Sequence, residues 1–82
     1  MTNTAPDLVV DARGLLCPLP LLRARRAIES LQPGGVLLLL ADDPALRRDL
    51  GPWSEREGHE VLTSTWEDGT CRTLLRRAAG PC

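Results

Sequence analysis

The sequence predicts an α/β (α+β) two-layer sandwich, in which two helices pack on one face of a four-stranded mixed sheet. Three observations lead to this prediction. Segments of β type and of helical periodicity follow one another as β-α-β-α-β-β, one apolar run has the length of a buried strand, and Asp68-Gly69 separates two β-type runs. The 82 residues suffice for one small domain, which we place over 1–82 with an ordered core at about 8–77.

The first strand and the first helix are separated by a loop that contains a cysteine. Residues 8–10 form a short β-type run, and Asp11 and Gly14 end it. After Cys17 the periodicity becomes helical, with an apolar face at three- and four-residue spacings: Leu21, Ala24, Ile28 and Leu31. We place the start of this helix at Pro18, because proline suits the first helical position.

The second strand is the apolar run 36–42, and the second helix follows it directly. An unbroken run of this length is typical of a strand that is buried on both faces or covered by helices. Asp43 is the expected N-cap of the helix, with Pro44 in its first position. Gly51-Pro52 is expected to interrupt this helix, since proline lacks the N–H that a helix interior uses.

The last two strands form a predicted hairpin, with Asp68-Gly69 in its turn. Strict alternation in the first of these strands places one set of side chains on a common face: Val61, Thr63 and Thr65. Cys71 lies at the start of the final strand, where we expect it to be half-buried and inert.

Composition and charge argue against several classes of protein. A net charge of −1 is too small for a dominant nucleic-acid footprint. No apolar run approaches the roughly 20 residues of a membrane span. The first ten residues lack the pattern of a signal peptide, so we expect a cytoplasmic protein. The three cysteines are far apart and include no C-x-x-C pair, and there is one His, which argues against a disulfide framework and against a dedicated zinc site.

The stretch "LLCPLPLL" sets Cys17 directly before a proline-rich helix start. The two prolines define where the helix begins, which places the thiol at the positive end of the helix dipole. That interaction is worth about 0.3–1 kcal/mol. A pKa unit corresponds to about 1.36 kcal/mol, so the thiol pKa falls by less than one unit. Cys17 is therefore interpreted as a moderately activated nucleophile; the alternative is a small buried apolar residue.

The pattern D-x-x-G-x-x-C-P-x-P is met by one set of residues: Asp11, Gly14, Cys17, Pro18 and Pro20. It resembles the motif of the TusA/SirA family of sulfur-carrier proteins. The stretch "LLLLADDPALRRDLGPW" is similar to the family's second strand and second helix start. The resemblance covers roughly residues 8–77.

The resemblance implies that Cys17 accepts sulfane sulfur as a persulfide and passes it to a partner protein, with Pro18 and Pro20 shaping its presentation. It implies a donor, either a cysteine desulfurase or a rhodanese-like protein, and an acceptor protein. It also implies partner-binding residues: Arg25, Arg26, Asp42 and Asp43. The protein would be a carrier rather than a stand-alone enzyme, without a cofactor, and a monomer would be adequate. Leu19 stands where a well-known branch has Glu, so thiolation of tRNA, cofactor sulfuration and sulfur oxidation all stay open.

Three other functions are weighed against a sulfur carrier. In a non-catalytic interaction or regulatory domain, Cys17 would only pack. In a thiol–disulfide redox protein, Cys17 would pair with Cys71 or Cys82, although the missing C-x-x-C argues against this. A nucleic-acid binder is the weakest alternative, because stacking aromatic residues are scarce.

Overall fold

The structure is a computed structural model that describes residues 5–16 and 18–78. Cys17 and Cys82 lie outside the described residues. The helices and strands are β1 (Leu8–Asp11), α1 (Leu19–Glu29), β2 (Val36–Ala41), α2 (Pro44–Glu57), β3 (Glu60–Glu67) and β4 (Thr70–Arg76). Their order is the predicted β-α-β-α-β-β.

The strands form one mixed sheet of four strands in the order β1-β2-β4-β3. β1 runs parallel to β2, with Leu8 opposite Leu37. β4 lies between β2 and β3 and is antiparallel to both. The predicted fold class is confirmed.

Both helices pack on one face of this sheet. The core combines residues of α1, of α2 and of the inward-facing positions of β2 and β4: Ala24, Ile28, Leu37, Leu39, Ala41, Leu46, Leu50, Trp53 and Leu75. Burying one such Leu stabilises the fold by about 1.5–3 kcal/mol. On the opposite face of β2, Leu38 and Leu40 are only partly buried. β2 is therefore covered by helices on one face and is not buried on both.

Helix α1 begins at Leu19, one residue after the predicted start, with Pro18 as its N-cap. Pro20 lies in the first turn and is buried. This turn tolerates proline because its N–H groups have no intrahelical acceptor. The predicted apolar face is confirmed: Ala24 and Ile28 are buried, and Leu21 and Leu31 pack against the core.

Helix α2 runs without interruption from Pro44 to Glu57, so the predicted break at Gly51-Pro52 is wrong. Its buried residues Leu46, Leu50 and Trp53 keep the i, i+4, i+7 spacing of a single helix across the proline. Pro52 removes only one N–H, and the buried face on both sides outweighs that loss. Gly58 caps the C-terminus of the helix with a left-handed φ of 81°.

Strand β3 contains a bulge that was not predicted from the sequence. Val61 pairs with Leu75, but Thr63 pairs with Leu74, the very next position on β4. One extra residue therefore stands between them, and Val61 no longer shares a face with Thr63 and Thr65, contrary to the prediction. The hairpin turn itself is confirmed, with positive φ at Asp68 (51°) and Gly69 (79°).

Cys71 lies on β4 and is more deeply buried than predicted, with 1% of its surface exposed. Its position faces the helices, because it pairs with Ala41 of β2. The thiol Sγ is 3.3 Å from the hydroxyl of Thr73. Among the described residues, no helix is both long enough and apolar enough to cross a membrane.

Candidate functional site

The loop that precedes Cys17 leaves the sheet beside the end of β2. Because β1 and β2 are parallel, their carboxyl ends lie at the same edge of the sheet. Asp11 is opposite Leu40, and the N–H of Ala12 donates to the carbonyl of Leu40 at 2.7 Å. The β1–α1 loop and the residue that follows β2, Asp42, therefore emerge side by side.

Asp11 and Arg13 form a double hydrogen bond at the start of this loop. Arg13 Nε donates to Asp11 Oδ1 at 2.8 Å, and Arg13 Nη2 donates to Oδ2 at 2.7 Å. These bonds lower the pKa of Asp11 from 3.8 to about 2, and a third bond from the Arg13 backbone N–H contributes to this. The Asp11 carboxylate also raises the pKa of Arg13, and Asp42 adds a smaller electrostatic effect of the same sign. Both groups are thus charged across the physiological range.

Gly14 is tied to Asp42 across 28 residues of sequence. Its backbone N–H donates to both carboxylate oxygens, at 3.0 Å to Oδ1 and 3.1 Å to Oδ2. Gly14 has a φ of +84°, a left-handed conformation that glycine adopts without strain. The glycine of the motif is therefore required for backbone conformation.

The described residues on either side of Cys17 are exposed and partly apolar. Leu16 has 73% of its surface exposed, and Leu19 has 49%. The N–H of Leu19 donates to the carbonyl of Leu16 at 2.9 Å, and Pro18 accepts from Leu22 at 3.0 Å. Leu22, one turn into the helix, is 47% exposed. Three leucines near the cysteine in sequence thus face solvent instead of the core.

A basic surface continues from these leucines along α1. A shallow groove there is lined by Leu19, Leu22, Arg23, Arg25, Arg26 and Glu29. Arg25 lies 3.5 Å from Glu29, the i,i+4 pair that helical spacing allows. Arg23 and Arg26 make no ion pair with any residue of the described ranges, so their charges are open to a partner.

The structure brings together only part of the predicted site. Asp11, Gly14 and Asp42 meet at the carboxyl ends of β1 and β2. Asp43 instead caps α2, where its Oδ1 accepts the N–H of Ala45 at 3.0 Å. The prolines Pro18 and Pro20 are, respectively, the N-cap and a buried residue of the first turn.

Two features were not among the predicted site residues. Arg13 is the hydrogen-bond partner of Asp11. This pair could have been predicted from the sequence, because an Asp two residues before an Arg can form such a contact. The exposed leucines had a weaker signal in the sequence: Leu16 precedes α1, and Leu22 falls outside the predicted apolar face of that helix. Within residues 5–16 and 18–78, no group of three His, Cys, Asp or Glu side chains is placed to hold a metal ion.

The fold has a close counterpart among solved structures. The crystal structure of the SirA-like protein from Desulfitobacterium hafniense matches with a TM-score of 0.75 and 29% sequence identity. The match covers 87% of this chain and 97% of that one.

The family follows from the sequence comparisons. The family model described as "Sulfurtransferase TusA" matches residues 8–77. The "Sulfur carrier protein TusA" of Pseudomonas putida strain GB-1 is 38% identical over 79 residues, which is 96% of this chain and 99% of the relative. The protein of the same name from strain F1 is 37% identical over the same length. The chain belongs to the TusA family.

Proposed function

We propose that this protein is a sulfur carrier that accepts sulfane sulfur as a persulfide on Cys17 and relays it to an acceptor protein. Membership of the TusA family is the observation that carries this proposal. The motif residues around Cys17 support it, because Asp11, Gly14 and Asp42 build an anchored loop directly before the cysteine.

The proposed chemistry is two successive thiol exchanges. The Cys17 thiolate attacks the terminal sulfur of a donor persulfide, R–S–SH, so that a new S–S bond forms and the donor leaves as R–S⁻. The acceptor thiolate then attacks the outer sulfur on Cys17, and the Cys17 thiolate is released. No net oxidation or reduction occurs, and a thiol with a pKa near ambient pH is the best nucleophile for such exchanges.

The surroundings of Cys17 suit docking of a large partner. Leu16 and Pro18, the neighbours of Cys17 in sequence, are exposed, and Leu19 and Leu22 extend an apolar surface along α1. Carriers of this kind need an accessible thiol and no general base or deep pocket. An apolar surface beside the transferring atom lets a partner exclude water during the exchange.

We assign partner binding to the basic surface of α1, with Arg25 and Arg26 as its predicted residues. Positive charge beside an apolar centre favours a partner whose rim is acidic, and it speeds encounter more than it adds affinity. Arg26→Glu is therefore expected to slow loading by a protein donor at low salt. Alkylation of Cys17 by iodoacetamide, which needs no docking, is the control and stays unchanged. Equal loading rates for Arg26→Glu and wild type would remove Arg26 from the docking surface.

We further propose a single domain over residues 1–82 that acts as a monomer in the cytoplasm. A small monomer leaves the same surface open to the donor and then to the acceptor. The acceptor pathway, whether tRNA thiolation, cofactor sulfuration or sulfur oxidation, is a matter of partner choice. Leu19, two residues after Cys17 in sequence, is the residue that we expect to influence that choice.

The test is intact mass under non-reducing conditions after incubation with a sulfur donor. One arm uses cysteine desulfurase with cysteine, and the other uses rhodanese with thiosulfate. Wild type is compared with Cys17→Ser, Cys71→Ser and Cys82→Ser, and digestion maps the adduct. We expect one added sulfur atom that dithiothreitol removes and that only Cys17→Ser loses.

Two results would contradict the proposal. An adduct that survives in Cys17→Ser would move the carrier site to another thiol. No adduct from either donor, together with a folded protein whose Cys17 resists alkylation, would support the non-catalytic interaction domain instead.

A further inference from the structure

Asp42 is an exposed residue whose carboxylate accepts a hydrogen bond from within the chain. It directly follows β2, and both of its carboxylate oxygens lie within hydrogen-bond distance of one donor, the Gly14 N–H, at 3.0 Å and 3.1 Å. Hydrogen bonds to an ionised acceptor are stronger than those between neutral groups. The resemblance to the family implied a partner-binding role for Asp42, and this contact points to another.

The hydrogen bond between Gly14 and Asp42 lies in the β1–α1 loop, shortly before Cys17 in sequence. The first anchor of the loop is the bond from Ala12 N–H to the Leu40 carbonyl at 2.7 Å, and the second is Gly14 to Asp42. From Leu15 to Pro18, the described residues hydrogen-bond only to neighbours in sequence, such as Leu15 N–H to the Ala12 carbonyl. Among the described residues that precede Cys17, Gly14 is thus the last one with a hydrogen bond to a distant part of the chain, and Cys17 follows three residues later.

Gly14 itself shows that the backbone needs this anchor. Its φ of +84° is left-handed, yet a Cβ at this position would meet nothing within 4 Å. Glycine is therefore present for its conformation and not for lack of space. A residue without a side chain is also the most flexible, so an external bond must select its one loop conformation.

The neighbouring charges leave Asp42 free for this role. Arg13 uses its Nε and Nη2 on the two oxygens of Asp11, at 2.8 Å and 2.7 Å. Asp11 thus holds the arginine, while Asp42 holds the backbone one residue further along. The two carboxylates organise the same loop through different donors.

We propose that Asp42 is a positioning residue for Cys17: it fixes the β1–α1 loop through the Gly14 N–H and does not act by contact with a partner. The proposal rests on the proposed function in that Cys17 is the reacting thiol. It predicts that the hydrogen-bond acceptor at residue 42 matters more than its charge.

The experiment compares Asp42→Asn with Asp42→Ala. Both variants remove the same negative charge, but only Asn keeps an oxygen that can accept from Gly14. Any difference between them therefore reports on the hydrogen bond. Glu55→Ala, which removes an exposed carboxylate on α2, is the matched control, and thermal unfolding confirms that each variant is folded.

Two readouts follow the loop without any sulfur donor. Amide hydrogen exchange at Gly14, measured by NMR, is expected to be roughly tenfold faster in Asp42→Ala than in Asp42→Asn. The pH midpoint of Cys17 alkylation by iodoacetamide is expected to lie higher in Asp42→Ala than in Asp42→Asn, and closer to the value of about 8.5 for a free thiol. Loading by a cysteine desulfurase is then expected to fall by roughly tenfold to a hundredfold in Asp42→Ala and to be largely restored in Asp42→Asn.

The outcomes separate the positioning role from partner contact and from the proposed function. If both variants lose loading equally while Gly14 exchange and alkylation match those of wild type, Asp42 is a partner contact and the proposal is overturned. Identical exchange and alkylation in the two variants would overturn it as well. If wild type takes up no sulfur but exchange and alkylation still distinguish Asn from Ala, the carrier function fails and the positioning role stands.

Discussion

A hydrogen bond between His59 and Ala78 links the segment that follows α2 to the segment that follows β4. The Nδ1 of His59 accepts the backbone N–H of Ala78 at 2.9 Å, and the His59 ring lies 5.5 Å from that of Trp53. Partial burial lowers the pKa of His59; Glu57 and Glu29 oppose this effect, and Arg77 adds to it. Nδ1 can accept this hydrogen bond only while it carries no proton, so the contact requires the neutral ring.

The bond from Ala78 predicts how stability depends on pH. Since the pKa of His59 is lower in the folded chain than its ordinary 6.5, the unfolded chain takes up the proton first as pH falls. The His59 contribution is therefore fully present above about pH 6.5 and is lost as pH falls toward the folded pKa. Thermal unfolding of wild type between pH 7.5 and pH 5.5, compared with His59→Asn, measures it. Asn retains an acceptor near Nδ1 but does not titrate, so its melting temperature should fall less over that interval; parallel curves would contradict the prediction.

The cap of α2 predicts a loss of stability in Asp43→Ala. The Asp43 carboxylate accepts the N–H of Ala45, one of the donors that the first turn leaves unpaired. Removing it should lower the free energy of unfolding by about 0.5–2 kcal/mol in urea denaturation. Asp43→Ser keeps an acceptor, so its free energy of unfolding should fall by only about a few tenths of a kcal/mol. Equal losses in the two variants would show that the cap bond is not the cause.

The interior proline of α2 predicts a stabilising substitution. Pro52 is exposed, so Pro52→Ala loses little packing while it restores an N–H within the helix. The helix gains propensity, and the greater freedom of the unfolded chain offsets part of that gain. We expect the free energy of unfolding to rise by about 1–2 kcal/mol in urea. A decrease would mean that the proline shapes α2 in a way that the fold requires.

The buried thiol of Cys71 is expected to be inert in the native protein. Its Sγ is enclosed by the hydroxyls of Thr73, at 3.3 Å, and Ser64, at 3.9 Å. A reagent can reach it only after the hairpin opens, so alkylation at Cys71 should be at least about a hundredfold slower than in denaturant. Peptide mapping after brief iodoacetamide treatment measures this. Rapid native labelling of Cys71 would contradict the buried position.

Much of the fold was predictable because local chemistry decides it. Asp43-Pro44 defines a helix start by hydrogen bonding and by a preset φ, and Asp68-Gly69 defines a turn by its tolerance of positive φ. The apolar face of α1 could be read from spacing alone. These features depend on residues a few positions apart, so the chain order and the fold class followed from the sequence.

The wrong predictions concern positions where contacts with distant parts of the chain override the local conformational preference. Pro52 is a helix breaker by local rules, but α2 continues because Leu46, Leu50 and Trp53 all bury against the same sheet. The bulge between Val61 and Thr63 is a property of the β3–β4 pairing and not of either strand. Neither could be predicted from a window of neighbouring residues.

The sequence by itself determined the order of elements, the helix starts and the hairpin turn to within a few residues, and the motif that surrounds Cys17. Only the tertiary structure decided what Asp42 does. The parallel pairing of β1 and β2 places the two carboxyl ends at one edge of the sheet, and residues 28 positions apart meet there. Strand pairing is a non-local choice, made by burial and hydrogen bonding across the whole chain, and the contacts that anchor the loop before Cys17 follow from it.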